Sequence, residues 1–226
     1  MKKTCNICGG KSFAGGPNNR MSQNGTPPRC ETCQSLERHR VARSALSQMR
    51  TDKFLEMDVL QFSMDRCVED DWFKSRFVSV YGTETSLDLQ KIDRETGQYD
   101  LLICNHVIEH VKYDNAALNE MCRVIKDDGL VFLTFPDPAN VKVTSDWDYP
   151  KEEQHGHYRI YGEDVVDRFL AYIPHRWVLS EIIADPVTGV DDQVFFLTKS
   201  SAGSFAVLEK FPNATVINRP DYKLIS

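Results

Sequence analysis

From residue 58 onward the chain alternates short apolar runs with amphipathic stretches. "DVLQFS" (58–63), "RFVSVYG" (76–82), "YDLLICN" (99–105) and "GLVFLTFP" (129–136) read as strands, and their near-continuous apolar character is that of strands covered on both faces. "NAALNEMCRVIKDDG" puts Ala117, Leu118, Met121, Cys122 and Ile125 on one helical face and is expected to stop at Asp127-Asp128-Gly129. "DRCVEDDWFKS" reads as a helix or turn, and "GEDVVDRFLAYI" as a further helix. "WVLSEIIAD" and "DQVFFLTKS" read as two strands joined through Pro186 and Gly189, which predicts one antiparallel strand near the sheet edge. The alternation predicts an α/β fold with a mostly parallel sheet.

The first 50 residues follow a different pattern. Cys5 and Cys8 form one C-x-x-C knuckle and Cys30 and Cys33 a second, separated by 21 residues rich in Gly, Pro and Asn. Such a segment has no core of its own, and four thiolates at this spacing match a tetrahedral zinc site. A small zinc ribbon is expected over residues 1–35. Disulfides are the alternative, but nothing points to an oxidising compartment. Cys104 and Cys122 sit in apolar stretches and read as core, and Cys67 also lacks partners at metal spacing. "QSLERHRVARSALSQMR" then repeats Leu36, Val41, Ala45 and Met49 at near-helical spacing. It predicts a linking helix over 36–50, with Arg38, His39 and Arg40 either solvated or binding an anion. The expected organisation continues with a sheet domain over 51–199 and a C-terminal tail, 200–226, of no assigned role.

Charge sharpens this division. Residues 1–50 carry nine Lys and Arg against two Glu, a net +7; the whole chain is −6, so residues 51–226 carry −13. The plain account of the basic head is a solvated surface, and the sharper one is contact with a phosphate-bearing partner. At 226 residues, with 41% hydrophobic and 27% charged residues, the chain has the composition of an ordinary globular protein. No apolar run is long enough to span a bilayer, and the basic start has no apolar run behind it. A cytoplasmic location without membrane attachment is expected.

"NHVIEHV" (105–111) is the most chemically suggestive stretch. His106, Glu109 and His110 match H-x-x-E-H, the zinc signature of inverted metalloproteases. That signature needs a helix and an open metal position, whereas this stretch directly follows a buried strand. In such sheets ligands bind outside the carboxyl ends of strands, so a cofactor rim is the preferred account.

Taken together, "YDLLICNHVIEHVKYDNAALNEMCRVIKDDGLVFLTFP" resembles the central block of class I S-adenosylmethionine-dependent methyltransferases. The two C-x-x-C knuckles followed by "ERHR", and "HGHYRIYGEDVVDRF" (155–169), resemble a subgroup with a zinc ribbon ahead of that domain. The resemblance implies a Rossmann-like, mostly parallel sheet with an antiparallel edge strand. It implies S-adenosylmethionine as cofactor, bound by Phe62, Ser63, Met64, Asp65, Glu84, Asp88, Leu89, Asn105 and His106. Some O-methyltransferases carry E-x-x-E-H at this place and bind a divalent ion there. Here His106 replaces the first Glu, leaving Glu109 and His110 either as ligands of a second metal or as groups hydrogen-bonded within a helix start. The chain departs from the family at "VLQFSMD", where glycines are expected, and at Tyr81-Gly82, where no carboxylate stands to hold a ribose.

The implied activity is methyl transfer to a hydroxyl or amine of a small molecule, such as a sugar or nucleotide-linked sugar. His106 is the first candidate base, with His155 and His157 next. Arg159 is a candidate for gripping an anionic substrate group and Tyr161 for lining the same site. The long loop over 137–159 reads as a substrate lid or as plain connecting surface. Two other functions are weighed: a non-catalytic scaffold with a ribbon that docks a partner, and an RNA methyltransferase. The −13 body argues against nucleic acid.

Overall fold

The computed structural model describes residues 3–220. A small head comes first, with the two-residue strands β1 (Phe13–Ala14) and β2 (Arg29–Cys30) paired antiparallel. Helix α1 (Glu37–Met49) leads into the body. Strands β3 (Asp58–Phe62), β4 (Ser75–Ser79) and β5 (Tyr99–Asn105) follow with no α-helix between them. After helix α2 (Asp114–Val124) come β6 (Ile125–Thr134), β7 (Ser145–Lys151), β8 (His157–Ile160) and helix α3 (Val165–Tyr172). Strands β9 (Trp177–Ala184) and β10 (Asp191–Thr198), helix α4 (Ser201–Lys210) and strand β11 (Thr215–Asn218) complete the chain.

The main sheet has seven strands in the order β11-β9-β10-β6-β5-β3-β4. β4, β3, β5 and β6 are parallel, and β10 runs antiparallel to β6. The expected mostly parallel sheet is therefore present. Antiparallel strand β10 lies inside the sheet, between β6 and β9, and β11 from the tail, antiparallel to β9, forms the expected antiparallel edge. One apolar layer packs α2 and α3 against the sheet through Leu118, Met121, Phe169 and Phe195. The other packs α1 and α4 through Ala45, Leu46, Phe196 and Val207. Residues 200–218 thus supply a core helix and an edge strand; the final residues of the tail lie outside the described residues.

Two local expectations need correction. α2 ends at Val124 instead of Gly129, because Ile125 already pairs with Tyr99 while Leu101 pairs with Leu130. Residues 126–129 bulge between these pairings. Gly129 fits the bulge because an added Cβ would lie 3.0 Å from Lys126 backbone atoms. The loop over 137–159 is not plain: β7 and β8 form an antiparallel hairpin with an interrupted register.

Successive strands leave β3 in opposite directions, β4 on one side and β5 on the other. That reversal marks the crevice at the carboxyl edge of a parallel sheet where ligands bind.

Candidate functional site

The four knuckle thiols converge. Sγ of Cys5 lies 3.7 Å from Sγ of Cys33, and Sγ of Cys8 lies 3.6 Å from Sγ of Cys30. Ligands 2.3 Å from a central zinc in a tetrahedron lie about 3.8 Å apart, so the spacing fits that ion, while a disulfide needs about 2 Å. Gly10 makes room for the cluster, since a Cβ there would meet Cys30 Sγ at 2.9 Å; its N–H points to Cys8 Sγ at 3.4 Å.

The head is tied to the body through α1. Asn6, inside the first knuckle, donates to the Arg40 carbonyl (2.8 Å) and to Ser44 (2.9 Å). Arg40 is fully buried and grips Asp185, in the turn between β9 and β10, with two bonds of 2.7 and 2.8 Å. Other basic residues of the head are similarly engaged: Arg20 with Glu37, Arg43 with Glu69 and the Trp72 ring, Arg50 over Trp72. This favours the plain account of the head's charge.

At the end of β3 the loop lacks glycine but keeps a glycine-like path. Ser63 has φ 74°, the left-handed region where glycine ordinarily stands. Gln61, fully buried, holds the turn by donating to the carbonyls of Ser63 and Asp65, both at 2.9 Å. Asp65 then joins three elements. His39 Nε2 on α1 lies 3.2 Å from one carboxylate oxygen, and Asn105 donates to the other at 2.6 Å. Burial tends to raise the Asp65 carboxyl, but His39 and Asn105 outweigh it and hold it below the usual range. Thr134 donates to Asn105 in turn. Of the other residues implied for the cofactor, Met64, Glu84 and Asp88 are exposed at this edge. Phe62 and Leu89 turn their side chains into the core.

The strand β5 ends in a second left-handed residue, His106, at φ 53°. A short 3-10 turn, Ile108–His110, follows, and α2 starts only at Asp114, so "VIEH" is not the expected helix start. The turn drops Glu109 inward to 1% exposure. Its carboxylate oxygens have no hydrogen-bond partner, and the nearer lies 3.5 Å from His106 Nδ1. Burial works to raise the Glu109 carboxyl; His106 and His110 overcome it and hold it ionised below the usual carboxylate range. His106 Nε2 is likewise buried and unpartnered.

β8 brings His157 against this turn. Its ring meets His110 edge-on at 4.5 Å, and the exposed His155 stands 6.2 Å away. Burial pushes the His157 pKa down, with only Glu109 pulling upward. Ligand atoms of Glu109, His110 and His157 all lie within 4.8 Å of one another, a possible grouping for a divalent ion. Sequence reasoning named the first two and missed His157 as a ligand; the "HGHYR" stretch was its only signal.

Arg159 and Tyr161 occupy places at odds with substrate binding. Both are 2% exposed. Arg159 donates to the carbonyls of Val111 and Lys112, each at 2.6 Å, and pairs with Asp146, while Tyr161 donates to Asp114. With its donors spent on the 108–112 turn, Arg159 positions that turn instead of gripping an anion.

One carboxylate escaped sequence reasoning. β10 pairs with β6 as Phe195 with Leu133, and extending this register brings Asp192 level with Pro136, beside Asp137. Burial pushes Asp192 up to about 6; His106 draws it back, and Asp137 and Glu37 add to the rise. No pattern in "TGVDDQVFF" marks Asp192, because its surroundings come from pairing with a strand far upstream in the chain, β6.

A family model for a methyltransferase domain matches residues 36–168, more than half of the chain. The chain belongs to the methyltransferase domain family. The methyltransferase core so matched runs from α1 to the start of α3 and contains every residue of the crevice described except Asp192. Among solved structures, the chain is similar to the Burkholderia thailandensis 1,6-didemethyltoxoflavin-N1-methyltransferase, whose structure holds 1,6-didemethyltoxoflavin and S-adenosylhomocysteine. The identity is 14% over 71% of this chain and 79% of that one, with a TM-score of 0.50. It is also similar, at 12% identity over 71% of this chain and 88% of that one and a TM-score of 0.50, to a complex from Haloferax volcanii between the Trm112 methyltransferase activator and a methyltransferase. At these identities the likeness is one of fold. No curated protein matches the chain. Among the described residues, no helix is long and apolar enough to cross a membrane.

Proposed function

We propose that the protein transfers the methyl group of S-adenosylmethionine to a hydroxyl or amine of a small molecule, with His106 as the base. The observation that carries this is the pairing of His106 and Glu109 at the carboxyl end of β5. Glu109 stands 3.5 Å from Nδ1, leaving Nε2 without a partner. An ionised carboxylate behind one nitrogen orients an imidazole and leaves the other nitrogen to take a proton. The cofactor occupies the crevice between β3 and β5, along Ser63, Asp65 and Asn105, with Met64, Glu84 and Asp88 at its open side. The bound S-adenosylhomocysteine of the Burkholderia protein supports a cofactor of this class. A sugar or a nucleotide-linked sugar is the acceptor class that the family resemblance favours. Zinc at Cys5, Cys8, Cys30 and Cys33 is structural in this account.

A second account of the same cluster is favoured by the unpartnered Glu109 oxygens: Glu109, His110 and His157 would hold a divalent ion. Such an ion lowers the pKa of a bound acceptor hydroxyl.

Calorimetry with S-adenosylmethionine and S-adenosylhomocysteine tests the proposal. Binding is expected to either one, and to weaken on Asn105→Ala, which also frees Asp65. Absence of heat and of thermal shift at millimolar cofactor, on the order of 1,000-fold above a tight dissociation constant, overturns it.

A further inference from the structure

Asp65 is where two hydrogen-bond chains meet, and the donor in each bond is fixed. On the sheet side, Asn105 and Thr134 stand opposite one another on the last rung between β5 and β6, and both are buried. Thr134 donates its hydroxyl to the Asn105 amide oxygen, which leaves the Asn105 NH2 group to donate to Asp65 Oδ2 at 2.6 Å. On the other side stands His39, in the first turn of α1. Its Nδ1 accepts the Leu36 N–H at 3.0 Å, so the ring proton sits on Nε2, which faces Asp65 Oδ1 at 3.2 Å. The side chains of His39 and Asp65 are 15% and 13% exposed, so solvent screens the pair only weakly.

The loop that Asp65 closes needs holding. It lacks glycine, turns through left-handed Ser63, and meets β4 through a bond from the Ser63 N–H to the Ser79 carbonyl at 3.1 Å. Gln61 fixes its backbone at the carbonyls of Ser63 and Asp65. The Asp65 side chain is fixed separately, by one donor for each oxygen: Asn105 from the sheet and His39 from α1. A shielded carboxylate that loses one of two donors is left with an unsatisfied oxygen, which is costly unless the group turns toward water. Turning it out carries the backbone of residues 63–65 along, since a side chain with one methylene has no slack.

We propose that His39 is a positioning residue for methyl transfer: its bond to Asp65 keeps residues 63–65 on the path that receives S-adenosylmethionine, so α1, the helix that joins the head to the sheet, supplies part of the cofactor site. This rests on the methyl-transfer account above, which places the cofactor along Ser63, Asp65 and Asn105, and adds to it a residue from outside the sheet. His39 acts through Asp65, not on the cofactor itself. With Nδ1 and Nε2 both engaged by protein groups, its ring has no nitrogen left for an anion. The same bond gives the head a route to the crevice, because Leu36, whose N–H sets the His39 ring, lies three residues beyond Cys33.

The test uses the full chain and reads S-adenosylhomocysteine affinity by calorimetry, well below the Tm of each variant. His39 is the third residue of α1, a position from which Gln and Glu both reach back to the N–H of the residue before the helix. His39→Gln keeps that cap and still offers an N–H donor to Asp65. His39→Glu keeps the cap and offers no donor, and His39→Ala loses both. Affinity is expected to fall about tenfold or more in His39→Ala and His39→Glu, the worth of a hydrogen bond to a charged group, and to stay within about threefold of the parent in His39→Gln. Affinity unchanged in His39→Ala and His39→Glu reduces His39 to a helix cap and overturns the assignment; so does a His39→Gln that binds no better than His39→Glu. Either result leaves methyl transfer standing. Failure of the parent protein to bind S-adenosylhomocysteine overturns both accounts.

Discussion

At the residue scale, the proposed chemistry turns on one pair of groups. In the proposed reaction His106 is the base and Glu109, 3.5 Å from its Nδ1, the group that orients it. His106→Ala is expected to reduce turnover by roughly 10²–10⁴-fold with cofactor affinity little changed. Glu109→Gln removes the carboxylate behind Nδ1, so turnover should fall through a misoriented base while cofactor affinity holds, which separate kcat and calorimetric measurements check. If a divalent ion at Glu109, His110 and His157 is the activating group instead, His157→Ala and added competing metals change the rate. Asp192 provides a different handle. Its native pKa of about 6 lies above the ordinary 3.8, so the folded state holds this proton more tightly than the unfolded state does. Its contribution to stability is full below about pH 4 and is lost as pH rises through 6, a loss on the order of 2–3 kcal/mol. Asp192→Asn should therefore raise Tm at pH 8 and leave it nearly unchanged at pH 3.5, which scanning calorimetry at the two pH values measures. His106 and Glu109 were legible in the sequence because they share one short motif. Asp192 was not, since only strand pairing brings it to the site.

At the scale of elements, the strands were legible because burial on both faces leaves an unbroken apolar signature; β5 matches its expected span, Tyr99–Asn105. Helix ends were less so. "IKDDG" has the composition of a helix stop, yet Ile125 finds a strand partner in Tyr99, and tertiary pairing overrides the local signal. The short strands of the β7–β8 hairpin were missed because "SDWDYPK" is mostly polar and largely exposed. The turn after β3 shows the opposite relation: the missing glycines read as a defect, but Ser63 takes the left-handed path and Gln61 pins it. Strain at one such residue costs about 1 kcal/mol. Ser63→Gly is expected to recover up to that amount of stability by chemical denaturation, with cofactor affinity equal or improved. A loss of stability would mean that the Ser63 hydroxyl has a role of its own.

At the scale of the whole molecule, the head and the sheet are joined by more than a linker. α1 presents Arg40 to Asp185 with both groups at zero exposure, so removing one partner leaves an uncompensated buried charge. Asp185→Ala should cost roughly 3–5 kcal/mol of global stability, measured by urea denaturation, whereas Arg20→Ala at the exposed Glu37 pair should cost less than about 1 kcal/mol. Cys30→Ser, by disrupting the cluster that places Asn6 against α1, is expected to lower Tm and to weaken cofactor binding through the His39–Asp65 contact. Elemental analysis of the pure protein should find about one zinc per chain. Arg40 and Asp185 are also 145 residues apart in the chain. During synthesis the head and α1 leave the ribosome long before the turn that receives Arg40 has been made. Its guanidinium must stay hydrated until nearly the whole polypeptide has emerged, so closure of the head onto the sheet belongs among the last events of folding, and nascent chains halted before residue 185 should remain open to proteases along α1.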